Sequence, residues 1–172
     1  MSRTIFITGG ARSGKSRLAE KIAEGFGTPL LYIATGQAGD AEMAERIAAH
    51  LARRGEKWQT VEEPLRLPDV IKSSAGGYRA VLVDCVTLWL TNILLAHDDA
   101  GMALDEVRAL AGLMPGLATP LILVSNEVGM GIVPDNALAR TFRDLAGKAN
   151  EILAAAADEV YVTFCGLPLK LK

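Results

Sequence analysis

The most explicit chemistry in this chain lies in eight residues near the N-terminus. Gly9-Gly10-Ala11-Arg12-Ser13-Gly14-Lys15-Ser16 fits Gly-x-x-x-x-Gly-Lys-Ser/Thr without a mismatch. With a strand before it and a helix after it, this pattern forms a phosphate cradle. Gly9 and Gly14 let the backbone turn and approach phosphate oxygens closely. The loop N–H groups then face the anion, and the following helix adds its positive end. Lys15, an expected catalytic residue, brings a full charge to the β- and γ-phosphates, and the Ser16 hydroxyl is an expected Mg²⁺ ligand. Arg12 either reaches a γ-phosphate or faces solvent. Loops of this kind serve kinases, motors, GTPases and transferases alike, so the reaction must be read elsewhere.

Asp84 ends the apolar run Ala80-Val81-Leu82-Val83. A carboxylate there can reach a phosphate-bound Mg²⁺, directly or through water; it could equally cap the helix expected from Thr87. His50 is one of two histidines, the other being His97. On a helix over Asp40–Arg54, Met43, Ile47 and Leu51 make an apolar stripe, and His50 falls about 20° from Met43. A neutral imidazole can attack phosphorus to give a phosphoramidate. Arg46, Arg53 and Arg54 could bind the phosphates involved and hold the imidazole neutral. The competing reading is a histidine packed beside a core stripe, with the arginines on a solvated helix end. Ser125–Pro134 follows a buried strand, where ligands of open α/β sheets bind. It could line a substrate site, form an ordinary glycine turn, or make a subunit contact. Thr35-Gly36-Gln37 could shape a nucleotide pocket or simply close a strand.

These residues need elements to hold them. Apolar runs at Thr4–Thr8, Leu30–Ala34, Trp58–Val61, Tyr78–Cys85, Pro120–Val124 and Glu159–Thr163 read as strands, with a final one over Leu167–Leu171. Helical spacing marks Leu18–Phe26, Asp40–Arg54, a short piece near Asp69–Ser73, Thr87–Ala96, Leu104–Met114 and Asn136–Ala157, with a polar loop at His97–Gly101. Repeated strand–helix alternation predicts an α/β fold, a mostly parallel sheet with helices on both faces.

The 172 residues read as one domain, 1–172. Half of them are hydrophobic and 22% are charged, which excludes intrinsic disorder. A net charge of −2 and 5% aromatic residues exclude a basic, base-stacking nucleic-acid footprint. Cys85 and Cys165 lie in apolar runs and read as buried free thiols, suited to a reducing cytoplasm. The apolar stretch at the N-terminus, about five residues, is too short for a signal peptide's apolar segment, and no run approaches the ~18 of a membrane helix, so a cytoplasmic location with no membrane insertion is expected.

Taken together, these motifs resemble the bifunctional adenosylcobinamide kinase/adenosylcobinamide-phosphate guanylyltransferase family of cobalamin biosynthesis. The carriers are Thr8–Ser16, the Tyr-Ile-Ala-Thr run at Tyr32–Thr35, Glu42–His50 with Trp58 eight residues on, Asn126–Pro134, and Ala154–Val160. The resemblance implies a RecA-like P-loop fold and a homotrimer. It implies phosphorylation of adenosylcobinamide by ATP or GTP, then guanylyl transfer from GTP to adenosylcobinamide phosphate through a guanylylated histidine. That histidine maps onto His50, so the phosphate loop and the helix carrying His50 must face one cleft. Nucleotide contacts map onto Gly9–Ser16, Ala34, Thr35, Gly36, Leu51, Ala52, Arg53, Arg54, Glu62 and Asp84. Asp84 and Glu62 beside a triphosphate make Mg²⁺ the expected cofactor. The chain departs from the family pattern at Ala49, where a second histidine is expected, and at Gly55, in place of proline. Two narrower readings use fewer of these residues. A plain small-molecule kinase needs only Gly9–Ser16 and Asp84, and a non-catalytic nucleotide-gated assembly subunit needs only nucleotide binding.

Overall fold

The computed structural model describes residues 3–36 and 55–172. Among them, seven strands form one sheet: β1 (Thr4–Gly9), β2 (Leu30–Ala34), β3 (Trp58–Glu62), β4 (Ala80–Asp84), β5 (Leu121–Val124), β6 (Glu159–Phe164) and β7 (Leu167–Lys170). Their order across the sheet is β3-β2-β4-β5-β1-β6-β7. Every neighbouring pair is parallel except β6 and β7, which form a hairpin. Parallel neighbours cannot be joined by tight turns, so the chain must cross over between them. The described helices are α1 (Lys15–Glu24), α2 (Leu67–Ser74), α3 (Val86–His97), α4 (Ala100–Leu113) and α5 (Ala137–Ala156).

Alternate residues along each strand face opposite sides of the sheet. Ile5, Ile7, Leu30, Tyr32, Leu82, Ile122 and Val124 pack on one side with Ala19 and Ala23 of α1. Phe6, Leu31, Ile33, Val81, Val83, Leu121 and Leu123 pack on the other, against apolar residues of α2, α3, α4 and α5. Burial on both faces is why these strands read as unbroken apolar runs instead of an alternating pattern. Trp58 closes the first layer edge-to-face on Tyr32, with ring centroids 6.1 Å apart.

Local chemistry moves some boundaries from their expected places. The polar segment His97–Gly101 is mostly helix. The chain reverses at Asp98, and the Asp99 carboxylate accepts from Gly101 N–H at 2.7 Å and Met102 N–H at 3.2 Å. That cap starts α4 at Ala100, four residues before the apolar spacing begins. Cys165 is exposed, against expectation, whereas Cys85 is buried. Cys165 and Gly166 are the two turn residues of the β6–β7 hairpin, both at positive φ. The apolar run therefore continues through a turn that leaves the thiol in solvent. The expected helix over Asp40–Arg54 lies outside the described residues.

At the N-terminal edge of the sheet, the acidic pair Asp158-Glu159 ties β6 to its neighbours. The Asp158 carboxylate accepts from Thr4 N–H at 2.7 Å and from its hydroxyl at 2.8 Å, and these bonds lower its pKa. Burial alone would raise the Glu159 carboxyl. The Tyr161 hydroxyl, the Arg3 guanidinium and the Lys170 ammonium all donate to it and hold it at about 2. A carboxyl with a depressed pKa stabilises the fold above its unfolded pKa and loses that contribution as pH falls through the folded value. Glu159→Gln should thus lower unfolding free energy at pH 7 by about 1–3 kcal/mol. The difference from wild type should close between pH 4.5 and about 2, as followed by denaturant unfolding across that range.

Candidate nucleotide site

In an open parallel sheet, ligands bind beyond the C-terminal ends of the strands. Register places Ile7, Val124, Asp84, Ala34 and Glu62 in one row across β1, β5, β4, β2 and β3. The phosphate loop leaves β1 two residues beyond this row, so the expected site residues on different strands share one edge of the molecule. Glu62 is the outlier. It is exposed at the end of the edge strand, four strand positions from β1, roughly 19 Å at the usual spacing.

The phosphate loop is held from behind by the hairpin. Gly9 has φ 148°, and a Cβ there would lie 2.6 Å from the Thr163 carbonyl oxygen and 2.7 Å from its hydroxyl. Gly14, at φ 98°, precedes α1, and a Cβ would come within 3.1 Å of Gly166 Cα. Ser13 Oγ and Thr163 Oγ1 are hydrogen-bonded at 2.6 Å, and Gly166 N–H donates to the Ser13 carbonyl at 3.0 Å. Contact with the hairpin thus excludes a side chain at Gly9, while Gly14 is set by its positive φ and packs tightly on Gly166. Thr163 and Gly166 were not among the expected site residues, since a threonine in a strand and a glycine in a turn carry no motif of their own.

Lys15 is buried, and its ammonium donates to the Gly10 carbonyl at 2.6 Å across the loop it belongs to. Burial lowers its pKa, and the Asp84 carboxylate opposes that shift. Arg12 is exposed on the rim with φ 55°.

Asp84 is the last residue of β4, and the helix cap falls to its neighbour. Cys85 Sγ accepts from Leu88 N–H at 3.5 Å at the start of α3. Burial first, and the Asp84 charge second, push the Cys85 thiol up to about 12, so it stays protonated. Asp84 Oδ2 is buried without a hydrogen-bond partner among the described residues. An unsatisfied buried carboxylate oxygen is expensive and calls for a cation or water. Magnesium takes few protein ligands and completes its shell with phosphate oxygens and water. Asp84 and the Ser16 hydroxyl beside the loop fit that demand.

Thr35 is fully buried. Its hydroxyl donates to the Cys85 carbonyl at 2.7 Å and accepts from Cys85 N–H at 2.8 Å. The side chain is thus committed to the Asp84–Cys85 corner, and the main chain beside it is bonded too: Thr35 N–H donates to the Asp84 carbonyl at 3.4 Å and the Ala34 carbonyl accepts from Glu63 N–H at 2.9 Å. Asn92 of α3 donates to the Thr35 carbonyl at 2.7 Å and the Pro64 carbonyl at 3.1 Å, and Trp89 Nε1 donates to the Leu65 carbonyl at 2.8 Å. One helix thereby fixes the exits of both β2 and β3. After β5, Glu127 N–H donates to the Gly9 carbonyl at 3.0 Å, which seats the Asn126–Pro134 loop against the phosphate loop. His50, Leu51, Ala52, Arg53 and Arg54 lie outside the described residues.

A sequence profile described as cobinamide kinase / cobinamide phosphate guanyltransferase matches residues 5–171. The chain belongs to that family. The bifunctional adenosylcobalamin biosynthesis protein CobP of Pseudomonas aeruginosa is 50% identical over 166 residues, 96% of this chain and 95% of the relative. The bifunctional adenosylcobalamin biosynthesis protein CobU of Salmonella typhimurium is 44% identical over 180 aligned positions, 98% of this chain and 99% of the relative. Among solved structures, the RadB recombinase superposes with a TM-score of 0.55 at 14% identity, over 93% of this chain and 73% of the recombinase. That likeness shows the fold, a P-loop, RecA-like α/β sheet, as expected. In this member of the cobinamide kinase family, the bracing of the phosphate loop by the hairpin makes a direct prediction. Thr163→Val removes a buried hydrogen bond already formed without nucleotide and worth ~1 kcal/mol, and should lower the thermal midpoint by about 2–4 °C and weaken ATP or GTP binding by up to about fivefold. Thermal unfolding and titration calorimetry check it.

Proposed function

We propose that this chain is a bifunctional adenosylcobinamide kinase and adenosylcobinamide-phosphate guanylyltransferase, one domain over residues 1–172, working in the cytoplasm. The observation that carries the reading is the buried Asp84 carboxylate oxygen, without a partner among the described residues, two strand positions from a complete phosphate loop. Family membership supplies the acceptor.

In the kinase step, main-chain N–H groups of Gly9–Ser16 hold the β- and γ-phosphates and Lys15 neutralises their charge. Ser16 and Asp84 would hold Mg²⁺, which supplies charge stabilisation to the transferring phosphoryl group. The aminopropanol hydroxyl of adenosylcobinamide bonds to the γ-phosphorus, gives up its proton, and the bond to the β-phosphate oxygen breaks. ADP or GDP leaves. In the second step an imidazole nitrogen of His50 bonds to the α-phosphorus of GTP and pyrophosphate departs. The phosphate of adenosylcobinamide phosphate then attacks the same phosphorus, the P–N bond breaks, and adenosylcobinamide-GDP forms with His50 regenerated. Arg53 and Arg54, beside His50 in sequence, suit the binding of the phosphates attacked and released. Ala34–Gly36, Leu51, Ala52, Glu62 and Asp84 complete the nucleotide contacts. We further assign a homotrimer. Met130 and Ile132, 79% and 97% exposed in the loop after β5, are apolar surface that such an assembly would cover.

Asp84→Asn should lower the turnover of phosphoryl transfer to adenosylcobinamide by roughly 10²-fold while nucleotide still binds, as read by steady-state kinetics over a Mg²⁺ series. For the second step, the protein is incubated with GTP labelled at the α-phosphate and then denatured. Wild type should retain acid-labile, alkali-stable label and His50→Ala none. Label on both would place the nucleophile elsewhere, and none on GTP-binding wild type would remove the guanylyl-histidine and leave a kinase.

A further inference from the structure

Asn150 lies in the C-terminal half of α5, on a buried face otherwise made of Leu145, Ala146, Ala149 and Leu153. A polar side chain in such a place is unfavourable unless its groups are bonded. Both ends are. Its Oδ1 accepts from the Ser125 hydroxyl at 2.7 Å, and its Nδ2 donates to the Asn126 carbonyl at 3.2 Å. Neither bond serves the helix. Both go to the two residues that leave β5 for the loop beside the phosphate cradle.

The same short segment is tied on its other sides. Ser125 N–H donates to the Ile7 carbonyl of β1 at 2.9 Å, and Glu127 N–H donates to the Gly9 carbonyl at 3.0 Å. Asn126 N–H donates to Thr87 Oγ1 at 2.7 Å, in the first turn of α3 and three residues after Asp84. Thr87 and Ser125 hydroxyls lie 3.3 Å apart, so one directed chain runs from Thr87 through Ser125 to Asn150. Thr87, Ser125 and Asn150 are all buried. The main chain of Ser125–Glu127 is thus fixed between the two strands that carry the phosphate loop and Asp84, and the Asn126 carboxamide makes no hydrogen bond among the described residues. Core packing alone would be served by leucine. Only asparagine supplies an acceptor and a donor at once from a group of this length.

We propose that Asn150 is a positioning residue for phosphoryl transfer: it holds Ser125 and Asn126 so that the Asn126–Glu127 side chains stand at the acceptor side of the bound nucleotide. The inference rests on the kinase reading above. Turnover by wild type tests that reading, and the ratio of variant to wild type tests Asn150.

The experiment compares Asn150→Leu, Asn150→Asp, Ser125→Ala and a packing control, Leu145→Ala, at a temperature where each is fully folded. Asn150→Leu should melt cooperatively, bind ATP and GTP within about twofold of wild type, and keep the KM for adenosylcobinamide while kcat falls roughly 10–100-fold. Asn150→Asp keeps the acceptor for Ser125 but loses the donor to Asn126, and should fall in the same direction. Ser125→Ala, which spares the Asn126 bond, should lose less. Leu145→Ala should lower the thermal midpoint and leave kcat unchanged. A folded Asn150→Leu with kcat within about twofold of wild type overturns the proposal, as does an equal loss in Leu145→Ala. If Asn150→Leu does not fold, Asn150→Asp and Ser125→Ala decide it by the same criteria.

Discussion

The chemistry of this molecule depends on the parallel ladder that seats β1 between β5 and β6. A parallel pair leaves the C-terminal ends of its strands pointing the same way, so whatever each strand carries at its tip arrives at one edge. The register brings Asp84 into the row that ends on β1 two residues before the phosphate loop opens. The same ladder imposes the rest of the architecture. Strands paired in parallel need crossovers, crossovers supply helices, and helices on both faces require strands that are apolar throughout. Shifting β1 by one residue would send Ile5 and Ile7 to the wrong side of the sheet and carry the phosphate loop away from Thr163.

Around that frame the loop is organised by contact as much as by conformation. A phosphate cradle exposes main-chain N–H groups to an anion, and flexible backbone would spread them. Here the β6–β7 turn is hydrogen-bonded to the Ser13 carbonyl, and the Thr163 hydroxyl to that of Ser13. Gly9 lies so close to this hairpin that a Cβ has no room, and Gly14 packs tightly on Gly166. Preorganisation of this kind matters most for charge, because fixed donors need not reorient when the phosphoryl group moves. Asp84 is the counterpart. It is a carboxylate with one buried oxygen that has no partner among the described residues, and its main chain is held by Thr35, whose N–H donates to the Asp84 carbonyl and whose hydroxyl bonds to Cys85.

Much of the fold was legible in the order of residues, and particular elements show why. β1, β2 and β6 are nearly as expected because short apolar runs bounded by glycine, proline or charge leave little choice. The phosphate loop was legible for a different reason: its function constrains backbone, and backbone constraints appear as glycines at fixed spacing. The misplaced start of α4 came from weighing apolar periodicity over a single cap, since Asp99 begins a turn of helix before any apolar residue demands it. Cys165 was misplaced because an apolar neighbourhood does not distinguish a strand from the turn that joins two strands.

By itself, the sequence determined the class of fold, the phosphate loop, the strand that ends in Asp84, and, through motifs covering nearly the whole chain, the family. These are properties of local pattern, carried by residues close together in the chain. Only the tertiary structure decided which distant residues hold that pattern in place. Thr163 reaches Ser13 across 150 positions, Cys85 is bound to Thr35 across 50, and Asn150 reaches back 25 to Ser125. None of these pairs has a characteristic spacing. Their role exists only because parallel pairing and helix packing bring the two ends of a hydrogen bond within about 3 Å.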